Sequence, residues 1–561
     1  MKKFITYSLA VLSLMGGGVT SCDKFLDTLP DNRTELNSTE KIQKLLVSAY
    51  ASRTYVRFFE YASDNCELYS EGNKNTSRLI EQNYNWEPIE EADNESNVNT
   101  WQAYYNMIAT ANAALQAIEK QGTPEEMLPY KGEALLCRAY AHLCLTMIYC
   151  LPYHPQYASQ YLGVTYMDKP ETTLNPKYSR GTLAMDYEKI QKDIEEGLPL
   201  LNDEAWSVPK YHFNKKAGYA LATRFYVYSN QWEKAVEAAN VVLGTNPSEM
   251  LRDWAATSKM AWDYGTRALN YINPTNKVNL LIIPLYSANG GLFNAWDATG
   301  GRYAHTNRIA KMETVRAKRP MGGAYDTGKQ DNTQYIYQMV PFYWADLITN
   351  KVYWPKWPSQ WEVVDPVAGT GYGRSTMVAL NANEVLLNRA EAYIQLKEYD
   401  KAAADLDAWN CSMYKVGSNG IRHLTRELID EVYGDPSSSL YIKEYTREEP
   451  TSRKPIHPHG FTVEPGTQEN MTQCLLFCKR IDSLEEGLRW MDLKRYGITI
   501  DRFDDSDYDD ATTSGFEATV TLPYNDLRRA FQIPSESIKT GLEPNPRNNA
   551  ECPDHPFVKS F

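Results

Sequence analysis

Residues 220–243 read ALATRFYVYSNQWEKAVEAANVVL, and residues 387–409 read LNRAEAYIQLKEYDKAAADLDAW. Each is a helix-period stretch, a short polar turn and a second helix-period stretch. Advancing the first by 167 positions, from 232 to 399, lays Trp232 on Tyr399, Glu233 on Asp400, Lys234 on Lys401 and Ala235 on Ala402. Small residues such as Ala222 and Ala392 leave room for close helix contact.

These pairs resemble tetratricopeptide units, which cannot bury their apolar faces alone, so at least three should stack. Neighbouring segments supply the rest. Trp101, Tyr104, Ile108, Leu115 and Ile118 recur at helical spacing, with Ala111 filling one turn and Thr100 as a candidate cap. Residues 132–149, GEALLCRAYAHLCLTMIY, are apolar around most of the circumference, which predicts a core helix ended by Pro152. Residues 185–201 give one more helix. The predicted fold class is mainly α: a tetratricopeptide-like helical repeat scaffold with long irregular loop regions and small β elements. The repeat helices lie mainly over 101–245 and 383–410. Loop-rich regions run over about 247–376, which holds the short apolar run 280–285, and over about 416–473. A C-terminal part, 474–561, opens with a helix over 474–496 and ends in proline-punctuated coil.

At 561 residues, 43% hydrophobic and 23% charged, the chain is neither a disulfide-stapled miniature nor disordered. The 58 Lys and Arg against 71 Asp and Glu give a charge of -13, which repels polyanions and argues against nucleic acid. The 40 Tyr and 13 Trp suit wet, amphipathic binding surfaces.

Lys2 and Lys3 precede an apolar run from Phe4 to Met15 and then Gly16 to Gly18, the order of a secretory signal too short to span a membrane. The following Val19-Thr20-Ser21-Cys22 resembles a bacterial lipobox, in which sulfur is the nucleophile that takes the lipid. Residues 1–21 are therefore expected to be a lipoprotein signal peptide and 22–561 a single domain lipidated at Cys22. Triacylation would anchor the chain firmly. Cys137, Cys144 and Cys150 read as buried thiols. Cys474 and Cys478 lack the second ligand pair of a structural zinc site.

The order of motifs resembles the SusD/RagB family, surface lipoproteins of Bacteroidetes that partner SusC-type TonB-dependent transporters. The likeness rests on the lipobox with Cys22-Asp23-Lys24-Phe25-Leu26-Asp27, and on 101–108 (WQAYYNMI) with Ala111-Asn112. It extends through Lys131-Gly132-Glu133-Ala134, Arg138-Ala139-Tyr140 and Leu151-Pro152-Tyr153. Residues 382–387 (ANEVLL) with Ala390-Glu391-Ala392, 486–497 (EGLRWMDLKRYG) and 531–538 (FQIPSESI) complete it. Asn383 and the ending Pro544-Asn545-Pro546-Arg547 depart from the family pattern. The resemblance implies an outer-membrane, cell-surface protein without catalytic residues or cofactors. It would capture oligosaccharides and deliver them to a SusC-like TonB-dependent transporter. A peptide cargo on the same fold, or a surface glycoside hydrolase, are the alternatives. Arg489, Trp490, Asp492 and Arg495 read as structural, with charge pairs at i, i+3 along one helix.

Residues 323–330 (GAYDTGKQ) nearly spell a phosphate loop, but Gln330 replaces the metal-binding hydroxyl. Gly369, Gly371 and Gly373 lack the context of a dinucleotide site. Asp505, Asp507 and Asp509 alternate as calcium ligands do, but Asp510 and Phe516 break the pattern, and a solvated acidic loop is preferred. His457-Pro458-His459 reads as a plain loop. No metal is expected. The informative cluster is aromatic: Trp296, Trp344, Trp354, Trp357 and Trp361, with Tyr303, Tyr325, Tyr343 and Tyr353. In WPKWPSQW (354–361) the prolines forbid a regular helix and put the rings on a stiff loop. Flat rings offer faces to sugars, while Arg302, Asn307, Arg308 and Asp346 are candidates for sugar hydroxyls. Tyr84 and Trp86 form a second candidate. Each ring has the competing reading of a hydrophobic cluster under the loops.

Overall fold

The computed structural model of the chain describes residues 36–68, 77–173, 176–261, 263–293, 302–322, 344–346, 351–414, 416, 422–504 and 518–559. Its helices include α1 (Thr39–Val47), α2 (Val56–Ala62), α3 (Arg78–Tyr84), α4 (Asn97–Lys120), α5 (Leu128–Tyr149), α6 (Leu183–Gly197), α7 (Lys215–Tyr228) and α8 (Trp232–Leu243). Then follow α9 (Ala382–Gln395), α10 (Tyr399–Met413), α11 (Arg426–Gly434), α12 (Thr467–Asp482) and α13 (Arg489–Arg495). Strands are few among the described residues. β1 (Asn279–Tyr286), β2 (Gln360–Asp365) and β3 (Thr370–Asn381) form an antiparallel sheet in the order β1-β3-β2.

The repeat seen in the sequence is a repeat in the backbone. Asn230 and Lys397, one shift apart, both take a left-handed turn conformation with φ of 61°. The bonds around them correspond one for one. Gln231 N–H donates to Tyr226 O, and Glu398 N–H to Tyr393 O, both at 2.8 Å. Ser229 N–H donates to Phe225 O and Leu396 N–H to Ala392 O, both at 2.9 Å. These close the last turns of α7 and α9, whose carbonyls would otherwise lack partners. The pair α9/α10 packs on α7/α8 and on α12, while α5 is sandwiched between α4 and α6. Gly132 and Gly197 let α5 and α6 touch, because a Cβ on Gly132 would come within 2.9 Å of Gly197 O.

An arginine clamp recurs in this layer. Arg138 of α5 grips Asp193 of α6 through two bonds of 2.8 and 2.7 Å and reaches Asn112 of α4 at 2.9 Å. Arg389 of α9 grips Asp405 of α10 at 2.8 and 2.6 Å and reaches Asn240 of α8 at 2.7 Å. Each planar guanidinium ties three helices with fixed geometry, which a lysine cannot do.

Some boundaries differ from expectation. Ser96, not Thr100, caps α4 by accepting from Asn99 N–H, and Thr100 is buried inside the helix. The helix expected over 474–496 is broken into α12 and α13 by residues 483–488, where Glu485 and Gly487 take positive φ of 64° and 78°. The break exists because the Glu60 carboxylate on α2 accepts the Glu485 and Gly487 N–H groups at 3.0 and 3.1 Å. Arg489, Asp492 and Arg495 are buried, as expected of structural residues, but their charge partners lie on other elements rather than along α13. Arg489 clasps Asp64 through two 2.9 Å bonds, Arg495 meets Glu391 at 2.7 Å and Asp492 meets Lys479 at 3.6 Å. Gly371 and Gly373 lie in β3, and Gly369 makes the preceding turn with φ of 66°.

The titration of these buried groups has a definite sign. Burial pushes His142 and His305 down to about 3, so both stay neutral in the fold while their unfolded counterparts take a proton near 6.5. Stability from this source is full above pH 6.5 and lost as pH falls. Burial alone would raise Glu313 and Glu391, but Lys454 and Arg480 around the first, and Arg495 and Lys479 around the second, hold both at about 2. Their contribution is present above the unfolded value of 4.5 and lost as pH falls toward 2. Glu60 and Asp186, raised by burial to about 7, act oppositely between their unfolded values and pH 7. The urea midpoint should therefore change little from pH 7 to 5 and fall steeply below about pH 4. A midpoint that is flat down to pH 3 would contradict the buried charge network.

Candidate functional site

The WPKWPSQW segment divides into two parts with opposite fates. Trp354 is fully buried, its N–H donates to Glu485 Oε1 at 3.2 Å, and its ring meets the edge of His305 at 4.8 Å. Trp357 is 2% exposed, and its indole N–H donates to the Glu485 carbonyl at 2.8 Å. Between them Lys356 is buried, donating to Asp482 O at 2.7 Å and pairing with Glu486 at 3.2 Å. These side chains bolt the segment onto the break between α12 and α13. Trp354 and Trp357, expected as ligand rings, are packing anchors, because their faces are covered and the Trp357 indole N–H is satisfied inside.

Trp361 is different. It stands on β2 with 61% of its surface exposed. Its cross-strand partner is Gly373, and its indole nitrogen lies over Gly371, where a Cβ would come within 3.0 Å of it and within 2.0 Å of Glu362 O. Gly371 is needed here by that close approach to the indole, and Gly373 by the Ser287 carbonyl, which a Cβ would meet at 3.0 Å. Val363, Val364 and Val367 of the same hairpin are exposed as well.

Tyr372 and Arg374 alternate along β3, and Glu362 faces Tyr372 in the register. Arg374 lies over the Tyr286 ring at 3.8 Å, Arg53 lies over it at 4.7 Å, and Arg374 also pairs with Glu362. Tyr372, 47% exposed, sits edge-on to Tyr286 with ring centres 5.8 Å apart. Glu362, Tyr372 and Arg374 therefore share one face of the hairpin, an exposed ring beside charged hydrogen-bonding groups, while Trp361 stands on the opposite face.

The rings of the second expected aromatic site are enclosed in the core rather than presented to solvent. Tyr84 and Trp86 are buried, and Tyr84 stacks on Tyr303, itself buried, at 4.1 Å. Arg502 lies over Tyr84 at 4.0 Å and over Trp86 at 4.5 Å and donates to the carbonyls of Tyr61, Ala62, Ser63, Cys66 and Tyr84. Trp86 N–H of the indole donates to Ala62 O at 2.9 Å. This is a structural hub whose rings neutralise the cost of burying Arg502. Arg308 is likewise committed, paired with Glu67 and 3.3 Å from Glu313. Arg302 is half-buried beside Tyr303. Cys22, Trp296, Tyr325, Tyr343, Asp505, Asp507 and Asp509 lie outside the described residues, as does 323–330; Trp344 and Asp346 belong to a short strand, Trp344–Asp346, paired with Lys351–Tyr353.

Tyr286, Tyr372 and Arg374 were missed by the sequence reading. The signal was the period of two in GYGRST (371–376), in which alternate positions face one side of a strand. Two concavities lie elsewhere. One of about 770 Å³ is lined by Lys210, Lys216 and Lys277 and has no aromatic wall; one of about 320 Å³ is lined by Trp101, Tyr105, Asn106 and Tyr178. Neither presents a ring as exposed as Trp361.

The family described as starch-binding and associating with the outer membrane matches residues 24–227. Solved structures share the fold over almost the whole chain. A SusD superfamily protein of Bacteroides thetaiotaomicron is 18% identical, with a TM-score of 0.57, covering 92% of this chain and 100% of its own. A putative sugar binding protein of Bacteroides vulgatus is 17% identical, with a TM-score of 0.59, covering 92% of this chain and 99% of its own. A laminarin binding SusD-like protein is 15% identical, with a TM-score of 0.51, covering 91% and 99%. No curated protein matches the chain.

Single alanine substitutions should sort the tryptophans. Trp354→Ala and Trp357→Ala should each cost about 3–5 kcal/mol in urea unfolding, the range for emptying a buried aromatic site. Trp361→Ala should stay within about 0.5 kcal/mol of the parent, as exposed substitutions do. Equal losses at all three positions would contradict this division.

Proposed function

From the match of residues 24–227 to the SusD-like family and the shared fold, we propose that the chain is a SusD-like, non-catalytic cell-surface protein that captures oligosaccharides and passes them to a SusC-like TonB-dependent transporter. The observation that carries the binding step is Trp361, a large ring held exposed over Gly371. A sugar ring stacked on it would bury apolar CH faces, and Tyr372 with Arg374 and Glu362 offers a second ring with hydrogen-bonding groups on the opposite face of the same hairpin. The family's starch-binding description and the laminarin binding relative support a glucan or similar neutral glycan.

A hydrolytic role finds no support at the hairpin. The carboxyls raised most clearly by burial, Glu60, Asp186 and Glu485, are enclosed in the core and bonded to backbone N–H groups, so their shifted acidity serves packing. Attachment to the outer membrane falls to Cys22 in this proposal. No helix among the described residues is long and apolar enough to cross a membrane.

Titration calorimetry against a panel of neutral oligosaccharides and peptides tests the reading. A glycan that binds the parent should bind Trp361→Ala about 2 kcal/mol more weakly, the loss typical of a stacked anchor, with the melting temperature unchanged. Retention of peptides alone, sustained release of shortened glycans, or a Trp361→Ala affinity equal to the parent's would each overturn it. For the anchor, Cys22→Ala should move the protein from the membrane fraction to the soluble fraction; unchanged fractionation would remove the lipid from the account.

A further inference from the structure

Among the described residues, one group of side chains brings together three metal-binding donors of different softness: Asp407, Cys411 and His423. Asp407 and Cys411 are four apart on α10 and therefore share a helix face. His423 arrives from the segment leading into α11. His423 Nδ1 lies 2.8 Å from Asp407 Oδ2 and 3.7 Å from Cys411 Sγ, and Sγ lies 3.9 Å from Asp407 Oδ2.

The surroundings hold these donors in place. Asp407 Oδ1 accepts the Leu424 N–H at 2.7 Å and the Asn410 amide at 3.2 Å, which leaves Oδ2 turned to the other two donors. The same Asn410 amide donates to Arg422 O at 2.8 Å, and Arg422 N–H donates to Met321 O at 3.0 Å. The backbone on both sides of His423 is thus pinned, and the carboxylate is oriented by an outer layer of bonds, as ligating carboxylates are. His423 is 66% exposed, so the cluster opens to solvent on one side.

We propose that Asp407, Cys411 and His423 form a three-ligand site for a zinc-class divalent transition metal, with the fourth position open to water. A tetrahedral ion with ligand distances of about 2.0–2.3 Å sets its ligands about 3.3–3.6 Å apart. The two sulfur distances are within a few tenths of this, and the oxygen-nitrogen pair needs to open by about half an ångström as the ion replaces the proton now between them. Thiolate and imidazole select zinc-class ions over calcium or magnesium, which prefer sets of oxygens. On binding, the Cys411 thiol gives its proton to solvent, and the imidazole proton moves from Nδ1 to Nε2, so one proton is released per ion. The metal would then join α10 to the segment that leads into α11.

The test uses the reduced full-length mature protein under anaerobic conditions, titrated with Co²⁺ alone. One equivalent should give a thiolate-to-cobalt charge-transfer band in the near ultraviolet together with tetrahedral visible bands, and Zn²⁺ should bleach both. Cys411→Ser should lose the charge-transfer band, and His423→Ala should weaken cobalt binding about tenfold or more. Cys552, the other half-buried free thiol among the described residues, serves as the control: Cys552→Ser should keep the full spectrum. Zn²⁺ should raise the melting temperature of the parent and of Cys552→Ser but not of Cys411→Ser. Absence of the band in the parent, its persistence in Cys411→Ser, its loss in Cys552→Ser, or displacement of cobalt by equimolar Ca²⁺ would overturn the proposal. None of these readouts depends on oligosaccharide binding.

Discussion

Asp64 sits at the centre of a charge cluster that could not exist unless every element around it were in place. Arg489 of α13 clasps it, Arg480 of α12 lies 3.4 Å away, and Lys454 lies 3.9 Å away. Glu313 completes the balance by meeting the same Arg480 at 3.0 Å and the same Lys454 at 2.8 Å. Burial alone would raise the Asp64 carboxyl, but the surrounding arginines and lysine outweigh it and keep it ionised well below the ordinary carboxylate range. Removing one member would strand the others without solvent, which is far more costly than the pair's net contribution. The cluster therefore specifies which segments meet: the chain after α2, the loop region near 313, the segment near 454, and the two C-terminal helices.

The helical layer is a second, more regular construction. Two turns with the same left-handed residue and the same hydrogen bonds, and two arginine clamps with the same three-helix reach, show one structural unit used repeatedly. A stack of this kind is stiff and locally satisfied. It supports a long insertion between α8 and α9 that carries the three-stranded sheet. The hairpin of β2 and β3 is joined to this base through the edge strand β1, which pairs with β3 and is almost wholly buried, so its exposed tip is carried on a packed stem.

Whether an aromatic ring in this fold is core or surface depends on contacts brought by other segments of the chain. Trp354 and Trp357 close on Glu485, and Trp86 closes on Ala62 and Arg502. Trp361, four residues beyond Trp357, stays exposed, with its indole nitrogen over Gly371 of its own hairpin. The proline-rich composition of the segment correctly excluded a helix, but the residue types of all three tryptophans are identical, so local sequence held no means of separating them.

Periodicity and turn residues are short-range properties, and these the sequence by itself determined: the paired helices, their 167-residue correspondence, the buried thiols, the largely apolar α5 and the end of that helix before Pro152. Apolar spacing encodes which face of a helix is inward because that depends only on 3.6 residues per turn. The break between α12 and α13, the partners of Arg489 and Arg495, the burial of Trp354 beside the exposure of Trp361, and the meeting of Cys411 with His423 were decided by tertiary structure. Each depends on a donor or a surface brought from a distant part of the chain, and only the closed core fixes those distances.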